Sequence, residues 1–454
     1  MVLQYAVATM LSGWFPNWSH KIQNFSQFTV GIIFAAYPIG LGLASLASPP
    51  LILCWGAKNA TLVCVPLNAL FNLLFGFTPD IFSLTGWDTQ KSQYAYFVFY
   101  FLSGACGGII STALTVIVSS TFRQRLGFVT SLIGTSCGLG CIVGPPAGSA
   151  LSNAFSSTPS SAWCLRLPFL VFSAATALFL PASLLLPAVK NEDAVTSLHR
   201  SRGNSIPLVD VSPDNNKHCT CRTVNKVLTF QVVLSCLSIG VNGTVVATLD
   251  PNLGYRWGNH YDEVKVGLYF MVSSITYVLL SAPLGYLIDF IPKRMPKRAW
   301  AGFKAVQAGG MLLLAVSFMM LGPANFLPKD SFKLSGWIVV ALLLKGVGSA
   351  GNNATYPDMA FATDEKDAAV QAAISGLWNG AFAIGWAAGP ILGGALLKNR
   401  GTQDDPDFAA SFPEYATTIC YVSAGCALFI AIGGTLSRVK ARGGSSEELN
   451  AFIA

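Results

Sequence analysis

Twelve apolar segments divide this sequence, and all but the first are long enough to cross a bilayer as helices. A membrane core about 30 Å thick needs about 20 apolar residues in a spanning helix. The segments are Val2–Trp18, Phe28–Cys54, Ala60–Phe77, Tyr94–Ser119, Phe128–Ala154, Leu167–Ala188, Leu228–Leu249, Val264–Ile288, Ala301–Leu321, Gly336–Tyr356, Ala369–Leu397 and Ala416–Leu436. Only 11% of the residues are charged, against about 25% in soluble proteins. The sequence therefore predicts an all-α, multi-pass membrane protein with a short first helix.

The longest polar stretch separates the sixth segment from the seventh. It is rich in Ser, Asn, Asp and Pro, as flexible linkers are. We predict a six-helix bundle at residues 1–188, a linker at 189–227, a second six-helix bundle at 228–438 and a tail at 439–454. Basic residues are about twice as frequent in the loops on the linker side, which predicts that the linker and both termini are cytoplasmic.

A glycine-rich pattern occurs once in each half, 245 residues apart. Residues 376–394 read GLWNGAFAIGWAAGPILGG, and residues 131–149 read SLIGTSCGLGCIVGPPAGS. Glycines four residues apart form a smooth stripe on a helix and allow a neighbouring backbone to come close. The residues that we predict to serve conformational change here are Gly140, Gly144, Pro145, Gly385, Gly389 and Pro390. The alternative for these glycines is plain helix packing. The repeat itself indicates a transporter, because a parallel repeat of six helices is a transporter architecture with its substrate site near the midplane of the membrane.

A charged motif follows the eighth segment, where Gly285-Tyr-Leu-Ile-Asp289 precedes Pro292-Lys293-Arg294. Asp289 lies at a helix end beside fixed cations, and such contacts can break and re-form as the halves move. Leu53 occupies the equivalent place in the first half. We predict a gating role for Asp289, Lys293 and Arg294 in the second half only, and a solvated loop is the alternative.

These motifs resemble signatures of the major facilitator superfamily. The charged motif is similar to its cytoplasmic loop sequence, and Gly376–Gly394 matches its antiporter motif fully. The copy at 131–149 has Ser131 and Ser149 in place of two glycines. The resemblance covers nearly the whole chain and implies a twelve-helix fold of two six-helix pseudo-repeats.

A narrower resemblance is to the vesicular amine transporters, especially their polyamine-transporting branch. The residues that carry it include Val30-Gly-Ile-Ile-Phe-Ala, Gly56-Ala-Lys58 and Leu249-Asp-Pro251. It implies that protons leaving an acidic vesicle drive a cationic amine inward. The family's acidic residues in helices one, ten and eleven fall at Gln4, Asn352 and Asn379, and its helix-two lysine falls at Tyr37. All four positions are uncharged here, which leaves the coupling chemistry open.

Lys345 is a charge near the middle of the tenth segment. A central lysine costs about 2.5–3.5 kcal/mol to insert, so it should face a cavity or an acid. It could favour an anionic substrate, carry the coupled proton, or serve structure alone. Asp250 and Asp358 lie near the ends of segments seven and ten, where interfacial caps are the alternative to function.

Helical spacing groups several polar and aromatic residues around Lys345. They could bind a polar ligand, or they could join helices by hydrogen bonds. The predicted substrate-binding residues are Gln4, Tyr37, Asp250, Lys345, Asn352, Tyr356, Trp378 and Asn379.

The predicted function is secondary active transport, with proton-coupled antiport of an organic cation or polyamine-like amine. The alternatives are a same-fold transporter of a neutral or anionic solute that uses Lys345, and a transport-inactive sensor or scaffold. No nucleotide loop or nucleophile motif stands in the apolar segments, so we expect no enzyme activity, cofactor or metal. The expected partners are the bilayer, a small-molecule substrate and protons, with no nucleic acid, and the expected protein is a monomer, placed by resemblance in a vesicle or other endomembrane.

Overall fold

The computed structural model is helical throughout the residues that it describes. These are residues 1–23, 25–85, 91–122, 126–154, 163–186, 227–253, 263–295, 298–322, 324–327, 335–363, 368–397 and 406–441. Apart from Val227 and residues 439–441, the predicted linker and tail lie outside them.

The described part of the first half contains nine helices. They are α1 (Val2–Thr9), α2 (Phe15–Gln23), α3 (Gln27–Trp55), α4 (Ala57–Gly76), α5 (Thr78–Thr85), α6 (Ser92–Thr121), α7 (Leu126–Asn153), α8 (Trp163–Leu178) and α9 (Leu180–Leu184) in the described chain. The local sequence explains some of their limits. Ser26 accepts a hydrogen bond from the backbone N–H of Thr29, which caps the start of α3. Gly56, at φ 83°, separates α3 from α4 in a conformation that glycine favours.

The described part of the second half contains α10 (Phe230–Ala247), α11 (Glu263–Arg294), α12 (Ala299–Leu321), α13 (Ser335–Gly351), α14 (Thr355–Thr363), α15 (Ala368–Leu396) and α16 (Pro406–Ala441). A 3₁₀ turn at Asn352–Ala354 joins α13 to α14. Thr229 caps α10 through the backbone N–H of Val232. Within the described residues, nine stretches are long and apolar enough to cross a membrane.

All twelve predicted segments coincide with helices, but three are wrong in detail. The first is not one helix, because α1 ends at Thr9 and α2 begins at Phe15. The sixth is divided at Phe179, between α8 and α9. The tenth does not end at Tyr356, because the chain turns at Asn352–Ala354 and continues as α14 to Thr363. Hydropathy averaged over a whole segment does not locate such breaks, because the residues at the breaks lie within apolar segments, and in the first and tenth segments they are also buried.

The same helix neighbours recur in both halves, as two pseudo-repeats require. In the first half α1 packs on α7, α4 on α8 and α3 on α6, and in the second half α10 packs on α15, α12 on α16 and α11 on α13. The halves meet mainly along two pairs, α3 with α15 and α7 with α11, and smaller contacts join α6 to α15 and α7 to α14. The fold is therefore an all-α membrane fold of two six-helix pseudo-repeats.

The two glycine stripes make close backbone contacts inside each half. A Cβ on Gly144 would lie 2.6 Å from the carbonyl oxygen of Ala6 on α1, and one on Gly389 would lie 2.6 Å from that of Thr244 on α10. Real Cβ atoms do not approach so closely, so both positions require glycine. This confirms the predicted close approach of a neighbouring backbone, whereas a role in conformational change stays a prediction.

Candidate substrate cavity

A cavity of about 120 Å³ lies between the two halves. Several helices of both halves contribute to its wall, which is mainly apolar and aromatic. Its lining residues are Tyr5, Thr9, Ser12, Cys137, Gly138, Cys141, Pro145, Asn242, Val246, Asp250, Phe270, Ser273, Ser274, Tyr277, Lys345, Ser349, Phe382 and Trp386. A water needs roughly 10–15 Å³ of such volume, so the cavity can hold several waters or a small organic molecule.

Two opposite charges face this cavity. Asp250 follows the end of α10, and Lys345 lies on α13 with 4% of its surface exposed. The two groups interact electrostatically, and no described residue accepts a hydrogen bond from the Lys345 ammonium group. The expectation that Lys345 faces a cavity or an acid is therefore confirmed.

Aromatic rings cover the carboxylate side of the cavity. Trp386 stacks on Tyr5 of the other half, with ring centroids 5.6 Å apart and an interplanar angle of 8°. The indole Nε1–H of Trp386 points to Asp250 Oδ2 at 3.5 Å, and Phe382 packs against the same indole at 5.8 Å. Aromatic faces beside a carboxylate are a suitable environment for an organic cation.

The other predicted substrate residues lie outside this lining. Gln4 donates to the Gly107 carbonyl at 2.7 Å, and Tyr37 packs edge-on behind Trp386 at 6.1 Å. Asn352 accepts a hydrogen bond from Ser238 at 3.0 Å. These contacts join helices, and substrate roles for the three residues stay predictions.

Tyr356, Trp378 and Asn379 form a further group beside α14. The Tyr356 hydroxyl lies 3.1 Å from Ser375 Oγ, Trp378 donates to Thr355 Oγ1 at 2.9 Å, and Asn379 donates to the Ser375 carbonyl at 2.9 Å. All three side chains bind α14 or α15, so any ligand role for them also stays a prediction.

The sequence reasoning missed the aromatic wall and Asn242. Asn242 is 5% exposed, and its Oδ1 has no hydrogen-bond partner in the described structure. Asn242, Val246 and Asp250 are four residues apart along the chain, so an i, i+4, i+8 search from Asp250 would have found the first. Trp386 and Tyr5 gave no such signal, because aromatic residues are common in apolar helices.

Asp289 binds the start of a helix in the other half. Its Oδ1 accepts from the backbone N–H of Gly127 at 2.8 Å, and its Oδ2 accepts from that of Phe128 at 3.0 Å. A carboxylate is stabilised at a helix N-terminus by free N–H groups and by the helix dipole. Lys293 and Arg294 follow on the exposed end of α11. We call this side of the molecule, where α11 ends and α7 and α12 begin, the Asp289 end.

A second pair of charges is buried in the second half. Lys304 Nζ lies 2.7 Å from Asp358 Oδ2, and their side chains are 3% and 0% exposed. The carboxylate also accepts from Ser235 at 2.6 Å, Gln231 at 2.9 Å and Gln307 at 3.1 Å. The expectation of an interfacial cap at Asp358 is therefore wrong, because four side chains of α10 and α12 enclose it. Lys304 was missed, although a lysine four residues inside segment nine is a detectable signal.

A cavity enclosed by two pseudo-symmetric bundles of membrane helices, with an acid and a base on its wall, defines a membrane transport protein. The chain belongs to the major facilitator superfamily, whose model, described as Major Facilitator Superfamily, matches residues 1–390. The predicted family and fold are thereby confirmed, and this is a family of transporters.

Known relatives support the narrower resemblance. The chain is 26% identical over 460 residues to "MFS-type transporter SLC18B1" of Rattus norvegicus, covering 98% of this chain and 88% of the relative. It is 24% identical over 401 residues to the Homo sapiens protein of the same name, covering 87% and 77%.

A solved structure shares the fold. The crystal structure of the human organic anion transporter MFSD10 (TETRAN) covers 94% of this chain and 96% of its own, with a TM-score of 0.61 and 16% sequence identity. At that identity the likeness concerns the fold alone.

Proposed function

We propose that the protein is a secondary active transporter that exchanges protons for an organic cation by alternating access. The observation that carries this proposal is the placement of Asp250 and Lys345 on the wall of one cavity. An ammonium group needs a counter-ion to enter a membrane-embedded site. Asp250 supplies it, and Trp386 and Tyr5 supply the aromatic surface.

Charge balance links the cation to a proton. With Asp250 ionised and Lys345 protonated, the two charges of the cavity cancel. A monovalent ammonium at Asp250 would leave one excess positive charge, and loss of one proton from Lys345 would remove it. Reprotonation of Lys345 on the other side of the membrane then expels the substrate. One proton is exchanged for one monovalent cation, so that cycle moves no net charge, whereas a divalent amine would move one net positive charge.

The substrate class follows from the acceptors that face the cavity. Asp250 fits one ammonium group, and the unpartnered Oδ1 of buried Asn242, on α10, offers a second acceptor. The two residues are eight positions apart, which corresponds to about 12 Å at the rise of an α-helix. A flexible amine with a second nitrogen, as in a polyamine-like cation, can reach both.

A second candidate function is transport of a neutral or anionic solute. The ammonium group of Lys345, which lacks a described hydrogen-bond acceptor, favours it. An anion would bind Lys345 while Asp250 became protonated. The two candidates assign opposite roles to the same two residues and can be separated experimentally.

We also propose the placement of the chain in the cell. Residues 1–188 and 228–438 form the two bundles, residues 189–227 join them on the cytoplasmic side, and both termini, including the tail at 439–454, are cytoplasmic. The excess of basic residues in these loops supports this orientation. A monomer in a vesicle or other endomembrane follows from the branch that the chain resembles.

Uptake into proteoliposomes tests the transport proposal. The substrate panel contains labelled polyamines, monoamines and organic anions, each with and without an imposed pH gradient. We expect gradient-dependent amine uptake that Asp250→Asn abolishes, and Lys345→Met should lose uphill uptake while amine exchange at equal pH persists. Glu414→Gln and Lys58→Met are controls away from the cavity. Anion uptake that requires Lys345 would support the second candidate, and no uptake by correctly folded protein would contradict both.

A further inference from the structure

The buried pair of Lys304 and Asp358 lies away from the substrate cavity. Asp358 follows Lys345 in the chain, one helix further on. Lys345 belongs to α13 and Asp358 to α14, which follows the 3₁₀ turn at Asn352–Ala354. Neither partner of the pair lines the cavity. The pair can therefore affect the cavity only through the position of α14.

Asp358 joins α14 to two other helices. From α10 it accepts hydrogen bonds from Gln231 and Ser235, and from α12 it binds Lys304 and Gln307. Lys304 also donates to Ser235 Oγ at 2.7 Å, which links α12 to α10 directly. One carboxylate thus holds three helices together at the Asp289 end of the second half.

The segment between Lys345 and Asp358 changes helix type. α13 ends at Gly351, and a 3₁₀ turn, whose hydrogen-bond geometry is weaker than that of an α-helix, joins it to α14. α14 is therefore a separate short helix beyond a weaker turn. α14 has nine residues, too few to be stable without tertiary contacts.

We infer that Lys304 is a positioning residue that, through Asp358, docks α14 against α10 and α12 and so holds the cavity closed at the Asp289 end. Opening this end requires α14 to leave its place or to move together with both helices. Loss of the pair should therefore free α14 without touching the groups that face the substrate. This role is distinct from cation binding at Asp250, although it serves the same alternating-access cycle.

Hydrogen–deuterium exchange of the full chain in lipid nanodiscs reads the position of α14 without any substrate. The decisive variant combines Lys304→Met with Asp358→Leu, because removing both charges leaves neither one buried alone. We expect the amides of residues 355–363 to exchange at least about fivefold faster than in the wild type, while those of residues 412–434 in α16 stay unchanged. Lys58→Met is the matched control and should leave both segments unchanged.

If the amides of residues 355–363 in the folded double variant exchange less than about fivefold faster than in the wild type, the proposal is overturned. Should the double variant fail to fold, Ser235→Ala decides, since it removes the hydrogen bond to Asp358 and the one accepted from Lys304 and preserves both charges. It should speed exchange in the same segment by about fivefold, and no change there would refute the role. In transport, the positioning role also predicts a changed turnover with an unchanged KM for the amine. Failed amine uptake would contradict the proposed function and leave the exchange result valid.

Discussion

Asp250 and Lys345 are the two charged residues among those that line the cavity. Both stand out in the sequence, because charge is rare in and beside the apolar segments. Trp386 and Tyr5 could not be predicted, since what distinguishes them is a contact between helices far apart in the sequence. Asp358 was misjudged for the same reason, because its partner Lys304 comes from another helix.

Trp386 offers a test of the aromatic wall. Trp386→Phe retains a ring that can stack on Tyr5 and loses only a long hydrogen bond of 3.5 Å to Asp250. We expect it to weaken amine binding by about threefold or less, whereas Trp386→Ala should weaken it at least about tenfold, since stacked and cation–π contacts contribute about 0.5–2 kcal/mol each. Binding of a labelled amine to purified protein measures both. Equal losses for Phe and Ala would show that the indole N–H, and not the ring, matters.

Lys304 permits a stability test at the same scale. Lys304→Met leaves the Asp358 carboxylate buried without its cation, and breaking a buried pair on one side costs about 3–5 kcal/mol. Asp358→Asn should cost a similar amount, and the double variant with Asp358→Leu should be more stable than either single variant. Thermal unfolding midpoints in detergent provide the ranking. Additive losses in the double variant would mean that the two residues do not act as a pair.

Whole helices were predictable where their residues are uniformly apolar, and unpredictable where the chain bends inside the membrane. The breaks after Thr9 and at Asn352–Ala354 are buried inside otherwise apolar segments. The glycine stripes, in contrast, were correctly interpreted, because close helix packing needs only the four-residue spacing. Which helix each stripe packs on could not be read from the sequence, since that choice depends on the assembled bundle.

Gly389 tests the stripe on α15. A Cβ there would lie 2.6 Å from the Thr244 carbonyl oxygen and 2.8 Å from the Thr248 nitrogen, and both are backbone atoms that cannot turn aside. Gly389→Ala should therefore force α15 away from α10 and destabilise the fold by about 1–3 kcal/mol. Gly425→Ala is the matched control, because nothing lies within 4 Å of the added carbon. Unfolding midpoints compare the two, and an equal midpoint for both variants would contradict the packing argument.

The two halves of the molecule are joined by contacts of different kinds. α3 and α15 meet through glycines near both ends, since a Cβ on Gly31 would lie 3.1 Å from the Pro390 carbonyl oxygen and one on Gly376 would lie 2.9 Å from that of Ser45. α7 and α11 are joined at the Asp289 end by the carboxylate of Asp289. At their other end Gly267 is in looser contact with Pro146, at 3.8 Å from an added carbon. The contact between Asp289 and α7 is thus a directional, polar one, and we expect it to break when the cavity opens.

Two native cysteines make that expectation measurable. Cys137 and Cys141 line the cavity, so a membrane-impermeant thiol reagent reaches them only when the cavity is open to its side. Asp289→Ala removes two hydrogen bonds at a helix N-terminus, and such caps contribute about 1 kcal/mol, equivalent to about fivefold in a conformational equilibrium. Mass spectrometry should therefore show about fivefold faster modification of both cysteines from the Asp289 side. Asp80→Ala is the control, since Asp80 pairs with Arg166 inside the first half and its loss should leave the rate unchanged. An unchanged modification rate in Asp289→Ala would mean that the carboxylate only caps α7. If the Asp289 contact holds the halves together, its loss must expose the cavity between them, and with it the two cysteines.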